Sequence, residues 1–354
     1  MNTSLPNAES QSFEARLVTV GAHEAGQRLD NFLLAQLKGV PKSRIYRMLR
    51  TGEVRVNKGR AKPMQRIAAG DVVRIPPLRM AEREVQALPP QRVQAMRDAV
   101  LYEDEHLLIL NKPPGLAVHG GSGVPYGLIE LARASWSHLP GLELAHRLDR
   151  DTSGCLVLAK HREALLGVQR QLIGKTTTDL SGTNRGSPKG DPAGGQPRMA
   201  GIRKTYLALL KGGWRGGARR IEAPLLKNEL QGGERVVRVD ARGKLAVSVF
   251  EPIERFAALA TLARVDIETG RTHQIRVHAQ HMGHPLAGDD KYGDEDFNRQ
   301  IKAFGLSRLF LHAEQLEFLH PVTECTLRVS APLPDDLLVV LERLRAGQSG
   351  GGRP

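Results

Sequence analysis

The segment Ala145–Gly154 constrains the fold of this chain more than any other stretch. It reads Ala-His-Arg-Leu-Asp-Arg-Asp-Thr-Ser-Gly, a dense polar run between apolar ones. Leu142 and Leu144 precede it, and Leu156–Ala159 follow it. A short apolar run after a polar turn is typical of a buried strand. The pattern therefore predicts a loop or strand edge that presents a carboxylate, followed by a strand in the core.

The charges within this segment suggest chemistry as well as structure. Asp149 and Asp151 alternate with Arg147 and Arg150. A nearby guanidinium favours the ionised form of an aspartate and lowers its pKa, and a carboxylate that acts as nucleophile or base at neutral pH needs that form. The same residues also fit an exposed turn whose ion pairs contribute little to stability. Charge alone favours the functional interpretation without excluding the structural one.

A family resemblance rests on the same residues. His146–Gly154 resembles the signature of the RluA/RluC-type pseudouridine synthases over an uninterrupted stretch. In that family the aspartate after Arg-Leu is the essential catalytic residue, and that position is Asp149 here. Asp151 occupies a variable position of the motif and receives no catalytic role. Asn111–Pro113 and Val118–Gly123 also resemble this family and indicate its RluC branch.

The resemblance implies further site residues. A tyrosine at the position of Tyr206 stacks on the target base, and an arginine at the position of Arg271 pairs with the catalytic aspartate. Arg147 is assigned to substrate binding with them. Without the resemblance, Tyr206 would be interpreted as a half-buried strand aromatic, and Arg271 as a surface charge beside a helix. That helix is predicted to begin with Thr272 as N-cap and to end at Gly283.

The resemblance also implies the fold. It extends from about Gln27 to Leu344, and the expected class is α+β. The catalytic domain is expected to have a central curved, mixed and largely antiparallel sheet, with helices packed against it. Such enzymes isomerise their substrate and need no cofactor.

The first part of the chain resembles an S4-type RNA-binding domain. Two short amphipathic helices are predicted from apolar spacing, with inward residues Leu29, Phe32, Leu33 and Leu37 in the first and Ile45, Met48 and Leu49 in the second. Alternating apolar residues then predict small strands around a turn at Asn57–Gly59. Helix, helix and hairpin is the order of elements in an S4 domain.

Basic residues concentrate in this same part. The candidate RNA-binding side chains are Lys42, Arg44, Arg47, Arg50, Lys58 and Arg60, with Glu53 as the single acid between Pro41 and Lys62. Charge runs are usually solvated faces, but a run of nearly one sign repels itself unless phosphates neutralise it. Shape-based binding of folded RNA is the expected mode.

Composition shifts divide the chain into segments. The expected map is a disordered lead-in over 1–15, the S4-like domain over 16–76, a linker over 77–98, the catalytic domain over 99–346 with a disordered insertion at 174–201, and a tail over 347–354. The insertion is rich in glycine, serine, threonine and proline, and poor in apolar side chains.

The overall charge indicates the class of partner. With 51 lysines and arginines against 38 acids, the net charge is +13, which favours a polyanion. No apolar run is long enough to span a bilayer, and residues 1–12 lack the features of a secretory signal. The two cysteines suggest neither a disulfide framework nor a zinc ribbon. The expected location is the cytoplasm, and the expected state is a monomer without a protein partner.

Four histidines near Arg271 were weighed as a metal site. His273, His278, His281 and His284 lie close in sequence. Their spacing does not place three of them on one helix face, and no carboxylate stands within the helix to complete a metalloprotease pattern. No metal is predicted.

The family resemblance therefore implies an enzyme that isomerises uridines of large-subunit ribosomal RNA to pseudouridine. Asp149 either attacks the ribose C1′ or removes the C2′ proton, and the sequence does not choose between these routes. The rival hypothesis is a non-catalytic RNA-binding or ribosome-assembly factor, which would need the basic segment but not Asp149, Tyr206 and Arg271 together. A histidine-based metal hydrolase is the third hypothesis.

Overall fold

The computed structural model describes residues 15–37, 40, 42–77, 88–120, 126–177, 201–229 and 235–349. The chain divides into two compact units, Met1–Ala87 and Leu88–Pro354. Most of the predicted lead-in and insertion, and the last five residues of the predicted tail, lie outside the described residues. Within the described ranges, the model contains no helix with the length and apolarity needed to cross a membrane.

The first unit packs two helices on a small antiparallel sheet. Its elements are β1 (Arg16–Thr19), α1 (Leu29–Gln36), α2 (Lys42–Thr51), β2 (Arg55–Val56), β3 (Gly59–Arg60) and β4 (Val72–Ile75), with a 3-10 turn at Ala22–Glu24. The strand order is β1-β4-β2-β3. Each of the seven apolar helix-spaced residues predicted to face inward is buried. The predicted turn at Asn57–Gly59 joins β2 to β3, with Asn57 and Lys58 at positive φ as a tight hairpin requires.

The second unit is larger and alternates helices and strands. Its first elements are α3 (Pro90–Asp98), β5 (Val100–Glu103), β6 (Leu107–Lys112), α4 (Leu128–Ser135), β7 (Glu143–Leu144), β8 (Ser153–Ala159), α5 (Arg162–Thr177), β9 (Arg203–Lys211) and β10 (Arg219–Glu222). The remainder are β11 (Leu225–Glu229), β12 (Arg235–Val239), β13 (Val247–Phe256), β14 (Ala260–Ile267), α6 (Gln274–His281), α7 (Glu295–Lys302), β15 (Leu311–Leu319), β16 (Thr326–Ser330) and α8 (Asp335–Ser349).

One large sheet organises this unit. Its main path runs β10-β13-β14-β9-β15-β8-β6-β5, with β16 beside β15 and β7 beside β8. The β15–β8 pair is parallel, and the other pairs of this sheet are antiparallel. Strands β11 and β12 form a separate hairpin. The predicted α+β class with a mixed, largely antiparallel sheet is therefore confirmed.

Strand β8 lies in the interior of the sheet, as the apolar run after the acidic motif predicts. All seven of its residues are buried. It begins where it pairs with β15, with Ser153 opposite His312 and Gly154 opposite Ala313. The turn that carries Asp149 consequently enters the sheet at a crowded point, where two strands run in the same direction.

Three boundaries differ from the sequence-based expectation. Helix α3 occupies the second half of the segment interpreted as linker, because buried Met96 joins the core and Arg97 donates to the carbonyl of Ser135. Helix α5 continues to Thr177, inside the predicted insertion. Helix α8 continues to Ser349, beyond the domain end predicted at residue 346. In each case tertiary packing or helix propagation extends an element past its local sequence signal.

Gly154, the single glycine of the acidic motif, should not tolerate a side chain. Its φ of +110° is a conformation that residues with a Cβ rarely adopt, and an added Cβ would overlap the backbone carbonyl of Ala313. We expect Gly154→Ala to lower the free energy of unfolding by more than about 2 kcal/mol, measured by urea denaturation.

Gly115→Ala is the matched control for this substitution. Gly115 also has a positive φ of +76°, but a Cβ there would meet no atom within 4 Å. It should cost only about 1–2 kcal/mol of conformational strain. Equal losses in the two variants would contradict the role assigned to the β8–β15 contact.

Candidate active site

A cavity of about 540 Å³ lies in the second unit where the Asp149 turn, strand β9 and the start of helix α6 meet. Among the described residues that line it, Asp149 is the only carboxylic acid. Its basic lining residues are His119, His146, Arg147, Lys204, Arg271, His273 and Arg276. A single acid among many cations suits the handling of an anionic ligand.

Asp149 projects from the turn between β7 and β8, with its side chain 26% exposed. Leu148 beside it is buried and anchors the turn in the core. The carbonyl of Asp149 accepts a hydrogen bond from the Thr152 N–H at 3.3 Å. The carboxylate thus stands on a braced turn while it remains accessible from the cavity.

His146, at the start of this motif, joins it to strand β8 by a hydrogen bond. Its Nε2 accepts a hydrogen bond from the Val157 N–H at 3.1 Å. Burial lowers the pKa of the His146 ring to about 3, and the charge of Lys204 acts in the same direction. The ring is therefore neutral at physiological pH and holds the motif against strand β8.

A buried lysine supports the turn from below. Lys112 is fully buried, and its Nζ donates at 2.8 Å both to the carbonyl of Pro113 and to that of Arg150. Burial lowers the pKa of Lys112 to about 7, although Asp151 and Asp149 oppose the shift. This side chain joins the turn after β6 to the turn that carries Asp149.

The cation beside Asp149 is Arg276, in the first turn of helix α6. Its Nη1 lies 3.6 Å from Asp149 Oδ2, and His273 Nε2 lies 3.9 Å from the same oxygen. The prediction that Arg271 forms the ion pair with Asp149 is wrong. Arg271 lies in the loop before the helix, where its Nε donates to the carbonyl of Leu245 at 3.1 Å.

Gln274 fixes the backbone of the loop that carries Arg271. The buried Gln274 side chain accepts from the Arg271 N–H and the Thr269 hydroxyl, and donates to Val247 and Ser248 on strand β13. These bonds tie the loop before the helix to the sheet. The first residue of α6 is therefore Gln274, and its N-cap is His273 rather than the predicted Thr272.

Asp289 fixes the position of the Arg276 guanidinium. Arg276 donates Nε and Nη2 to the two Asp289 oxygens at 2.7 Å each, and its guanidinium lies 5.0 Å from the centre of the Tyr292 ring. Burial opposes the charge on Arg276, but hydrogen bonds and charge from Asp289 raise its pKa. Burial likewise opposes the charge on Asp289, but Arg276 holds the pKa of that carboxyl below its usual value. The Nε and Nη2 donors of Arg276 are thereby hydrogen-bonded to Asp289, and Nη1 points toward Asp149.

Tyr206 lies in β9 and lines the same cavity. It is 7% exposed, and burial raises the pKa of its hydroxyl, with the negative charge of Asp149 adding to the shift. The hydroxyl therefore stays protonated at neutral pH. Arg147 and Arg271 also line the cavity, Arg147 as an exposed residue. The structure thus brings the four predicted residues Asp149, Tyr206, Arg147 and Arg271 around one space.

Comparison with known proteins identifies the family. The family model described as RNA pseudouridylate synthase matches residues 106–281, and the S4 domain model matches residues 27–73. The ribosomal large subunit pseudouridine synthase C of Escherichia coli O157:H7 is 51% identical over 341 residues, which cover 95% of this chain and 99% of that protein. The chain belongs to the RNA pseudouridylate synthase family.

Other relatives agree with this assignment. The ribosomal large subunit pseudouridine synthase C of Yersinia pestis is 51% identical, covering 93% of this chain and 96% of that protein. The solved structure of human RNA pseudouridylate synthase domain containing 4 is 25% identical, with a TM-score of 0.55, and covers 73% of this chain and 98% of that one. The predicted family, RluC branch and S4 resemblance are confirmed.

Among the basic residues predicted to bind RNA in the S4 domain, four have exposed side chains in the described part of the chain. Arg47, Arg50, Lys58 and Arg60 are exposed. Arg44 differs, because its Nη2 lies 3.2 Å from Glu53 Oε2. The side chain of Lys42 lies outside the described residues. RNA binding by these side chains stays a prediction.

The four histidines considered as a metal site take separate places in this synthase. His278 contacts Ser248 and the Ala223 carbonyl in the core, whereas His284 contacts the Lys211 carbonyl and stacks on Trp214. His281 is exposed. Within the described part of the chain, no three histidine, cysteine or acidic side chains are placed to share a metal ion.

Sequence reasoning missed several residues of the site, namely Lys112, His273, Arg276, Asp289 and Tyr292. The helix containing Arg276 was predicted, but its pattern does not show which arginine reaches Asp149. Lys112 ends an apolar strand and reads as part of an exposed turn. Its burial follows only from the pairing of β6 with β8, where Lys112 lies opposite Gly154.

The buried lysine should leave a pH signature on stability. The folded pKa of about 7 lies below the ordinary value of 10.5, so the unfolded chain binds more protons between these values. The free energy of unfolding of the wild type, relative to Lys112→Met, should therefore rise with pH from about 7 to 10.5. The slope is at most about 1.4 kcal/mol per pH unit.

Urea denaturation of both proteins from pH 6 to pH 10 measures this difference. Lys302→Met is the control, since Lys302 is exposed in the same unit. If the difference in unfolding free energy between wild type and Lys112→Met does not change over this range, the lowered pKa of Lys112 is contradicted.

Proposed function

We propose that this synthase converts specific uridines of large-subunit ribosomal RNA to pseudouridine, with Asp149 as the catalytic carboxylate. The observation that carries the proposal is the meeting of Asp149, Arg276 and Tyr206 around one cavity. The two relatives from Escherichia coli O157:H7 and Yersinia pestis are named for the large ribosomal subunit. The net charge of +13 suits an RNA substrate.

The size of the cavity fits a single extruded nucleotide. A uridine within folded RNA hides its glycosidic bond, so an enzyme that acts there must take the base out of the stack. A volume of about 540 Å³ lies within the range of about 300–1,000 Å³ that is typical of small-molecule sites. Arg147 and Arg271 are assigned to the RNA chain at this cavity, since both line it with cationic side chains.

The reaction exchanges one bond of the ribose for another. The C1′–N1 bond breaks, the uracil turns within the cavity, and a C1′–C5 bond forms while the C5 proton is lost and N1 gains one. Atoms and electrons balance without an oxidant or a reductant. An ionised carboxylate serves either as the nucleophile at C1′ or as the base for the C2′ proton, and both routes remain open.

Tyr206 is assigned to the uracil ring. It lies on strand β9, and it lines the same cavity as Asp149. Base stacking on an aromatic side chain contributes about 1–3 kcal/mol and tolerates rotation of the base about the ring normal. A detached uracil can therefore turn without leaving the site.

The remaining assignments belong to the same proposal. The exposed S4 residues Arg47, Arg50, Lys58 and Arg60 bind RNA backbone, with Arg44 and Lys42 beside them in sequence. The protein acts in the cytoplasm as a monomer and needs no protein partner or cofactor.

Asp149→Asn tests the catalytic assignment. The amide keeps the size of the carboxylate but cannot act as nucleophile or base, so pseudouridine formation should fall below detection. RNA binding should stay within about threefold, because the change removes no cation that neutralises phosphate. Chemical mapping of ribosomal RNA from cells that contain only the variant measures the product.

Asp151→Asn is the matched control for that variant. Asp151 follows two residues later and pairs with Arg150 on the surface. It should retain nearly full activity. Normal product from Asp149→Asn, or loss of product from both variants, would contradict the assignment.

The exposed basic residues Arg47, Arg50, Lys58 and Arg60, here called the S4 patch, should bind RNA through phosphate contacts alone. Replacing Arg47 and Arg50 together by glutamine should reduce the slope of log K against log salt by about 1–2. The rate on a saturating RNA substrate should change little. Filter binding over a range of KCl concentrations measures the slope.

A surface double variant of equal charge change controls for net charge. Arg299→Gln with Arg328→Gln alters two exposed arginines of the second unit, each of which pairs with an acid. An equal loss of slope in this variant would show that the S4 patch has no special role.

A further inference from the structure

His273 has an unusual backbone conformation directly beside the catalytic carboxylate. Its φ of 53° and ψ of 22° lie in the left-handed region, at the N-cap of helix α6. A few per cent of non-glycine residues adopt this region, histidine more often than most, and it costs on the order of 1–2 kcal/mol. Such strain often accompanies a functional position. Here it directs Nε2 toward Asp149 Oδ2, 3.9 Å away.

Tyr292 determines which ring nitrogen of His273 carries the hydrogen. The buried Tyr292 hydroxyl oxygen accepts the Val237 N–H at 2.9 Å and lies 2.8 Å from His273 Nδ1. With its oxygen engaged by a donor, the hydroxyl directs its own hydrogen to Nδ1. The neutral imidazole then carries its hydrogen on Nε2, which is the atom that faces Asp149.

Arg276 and His273 approach the same carboxylate oxygen. Arg276 Nη1 lies 3.6 Å and His273 Nε2 3.9 Å from Asp149 Oδ2. Hydrogen bonds in a substrate-free active site are often long and shorten when the substrate closes the site. Both donors approach Oδ2, so a small closure of the site would engage Oδ2 and turn Oδ1 toward the substrate.

We propose that His273, oriented by Tyr292, is a positioning residue that holds Asp149 Oδ2 together with Arg276 and leaves Oδ1 as the reacting oxygen. The proposal rests on the function proposed above and assigns the two oxygens of Asp149 different tasks. Oδ2 receives the donors, whereas Oδ1 meets the ribose. An unrestrained carboxylate would rotate and present the reacting oxygen in many directions.

Burial, more than the surrounding charges, favours a neutral ring at His273. Burial lowers its pKa, and Arg276 and Lys291 act in the same direction, whereas Asp149 and Asp289 oppose them. A neutral ring donates to Asp149 only with the hydrogen on Nε2 and the ring correctly turned. A protonated ring carries hydrogens on both nitrogens, so it donates to Asp149 with less dependence on Tyr292.

Tyr292→Phe tests the orientation through a pH profile. The variant keeps the ring under Arg276 but removes the hydroxyl that bonds to His273. Its single-turnover rate on saturating RNA should be about fivefold or more below wild type at pH 8.5. The ratio to wild type should rise toward one only as the pH falls below the ordinary histidine pKa of about 6.5, because burial lowers the His273 pKa and a protonated ring restores the donor.

A purely structural role of Tyr292 predicts a different profile. The buried Val237 N–H loses its acceptor in the variant, and any general loosening would lower the rate equally at each pH. A ratio that does not change between pH 5.5 and 8.5 would therefore overturn the orientation by Tyr292.

His273→Gln and His273→Met test the donor itself. The two side chains have similar length and the same backbone cost in the left-handed conformation, but only glutamine donates a hydrogen bond. We expect the methionine variant to be about 10–100-fold slower in single turnover, with glutamine recovering a substantial part of the rate. RNA dissociation constants should stay within about threefold for both. Equal rates in these two variants, or wild-type rates in both, would overturn the proposal.

The wild-type protein and Asp149→Asn separate this failure from failure of the proposed function. If wild-type protein forms no pseudouridine in ribosomal RNA, or Asp149→Asn forms it normally, the function itself is wrong. If the wild type is active and Asp149→Asn inactive, the His273 variants report on positioning alone.

Discussion

The ion pair between the Asp149 carboxylate and the Arg276 guanidinium depends on a second acid that the cavity does not contain. Asp289 binds Arg276 through two hydrogen bonds of 2.7 Å and accepts the N–H groups of Lys291 and Tyr292. A buried guanidinium beside one partly exposed carboxylate would be costly, because a desolvated charge needs close partners. Asp289 supplies them, so Arg276 can keep a looser contact with Asp149. That looser contact is useful at a site where the carboxylate must change its bonding during a reaction.

Other buried polar groups support the site in a similar way. Lys112 donates to two backbone carbonyls beneath the Asp149 turn, and Gln274 makes four hydrogen bonds that tie the start of α6 to β13. Each group lies in the core, where an unsatisfied donor or acceptor would cost about 1–3 kcal/mol. Satisfied networks of this kind restrict the number of arrangements that a core can adopt. The positions of the cavity side chains therefore depend on buried residues behind them, such as Lys112 and Gln274, as well as on the residues that line the cavity.

The large sheet explains how segments that are distant in sequence meet. Asp149 precedes β8, Tyr206 lies in β9, and both strands flank β15. Helix α6 follows β14, which pairs with β9 on its other side. The hairpin β11–β12 reaches the same region through the bond from Val237 to the Tyr292 hydroxyl. Residues from four separate segments thus surround one carboxylate because the sheet fixes their order.

Much of this protein was determined by local sequence. The acidic motif predicted a turn and a buried strand, apolar spacing predicted the helices of the first unit, and signature residues indicated the family. The turn, the strand and the helices follow from periodicity and turn chemistry, which act over a few residues, whereas the family was indicated by resemblance to its motif. Asp149, Tyr206, Arg147 and Arg271 line one cavity. Their roles stay predictions, whereas the comparisons confirmed the family that implied them.

Only the tertiary structure decided which cation faces Asp149. Arg271 and Arg276 are five residues apart, and the choice depends on where α6 begins and on how Gln274 holds the preceding loop. The partners of Arg276 and His273 come from the loop that contains Asp289 and Tyr292, which carries no periodic signal. Burial of Lys112 likewise follows from strand pairing. These are long-range contacts, whose energies depend on distance and exclusion of water, and neither quantity is written in the order of the residues.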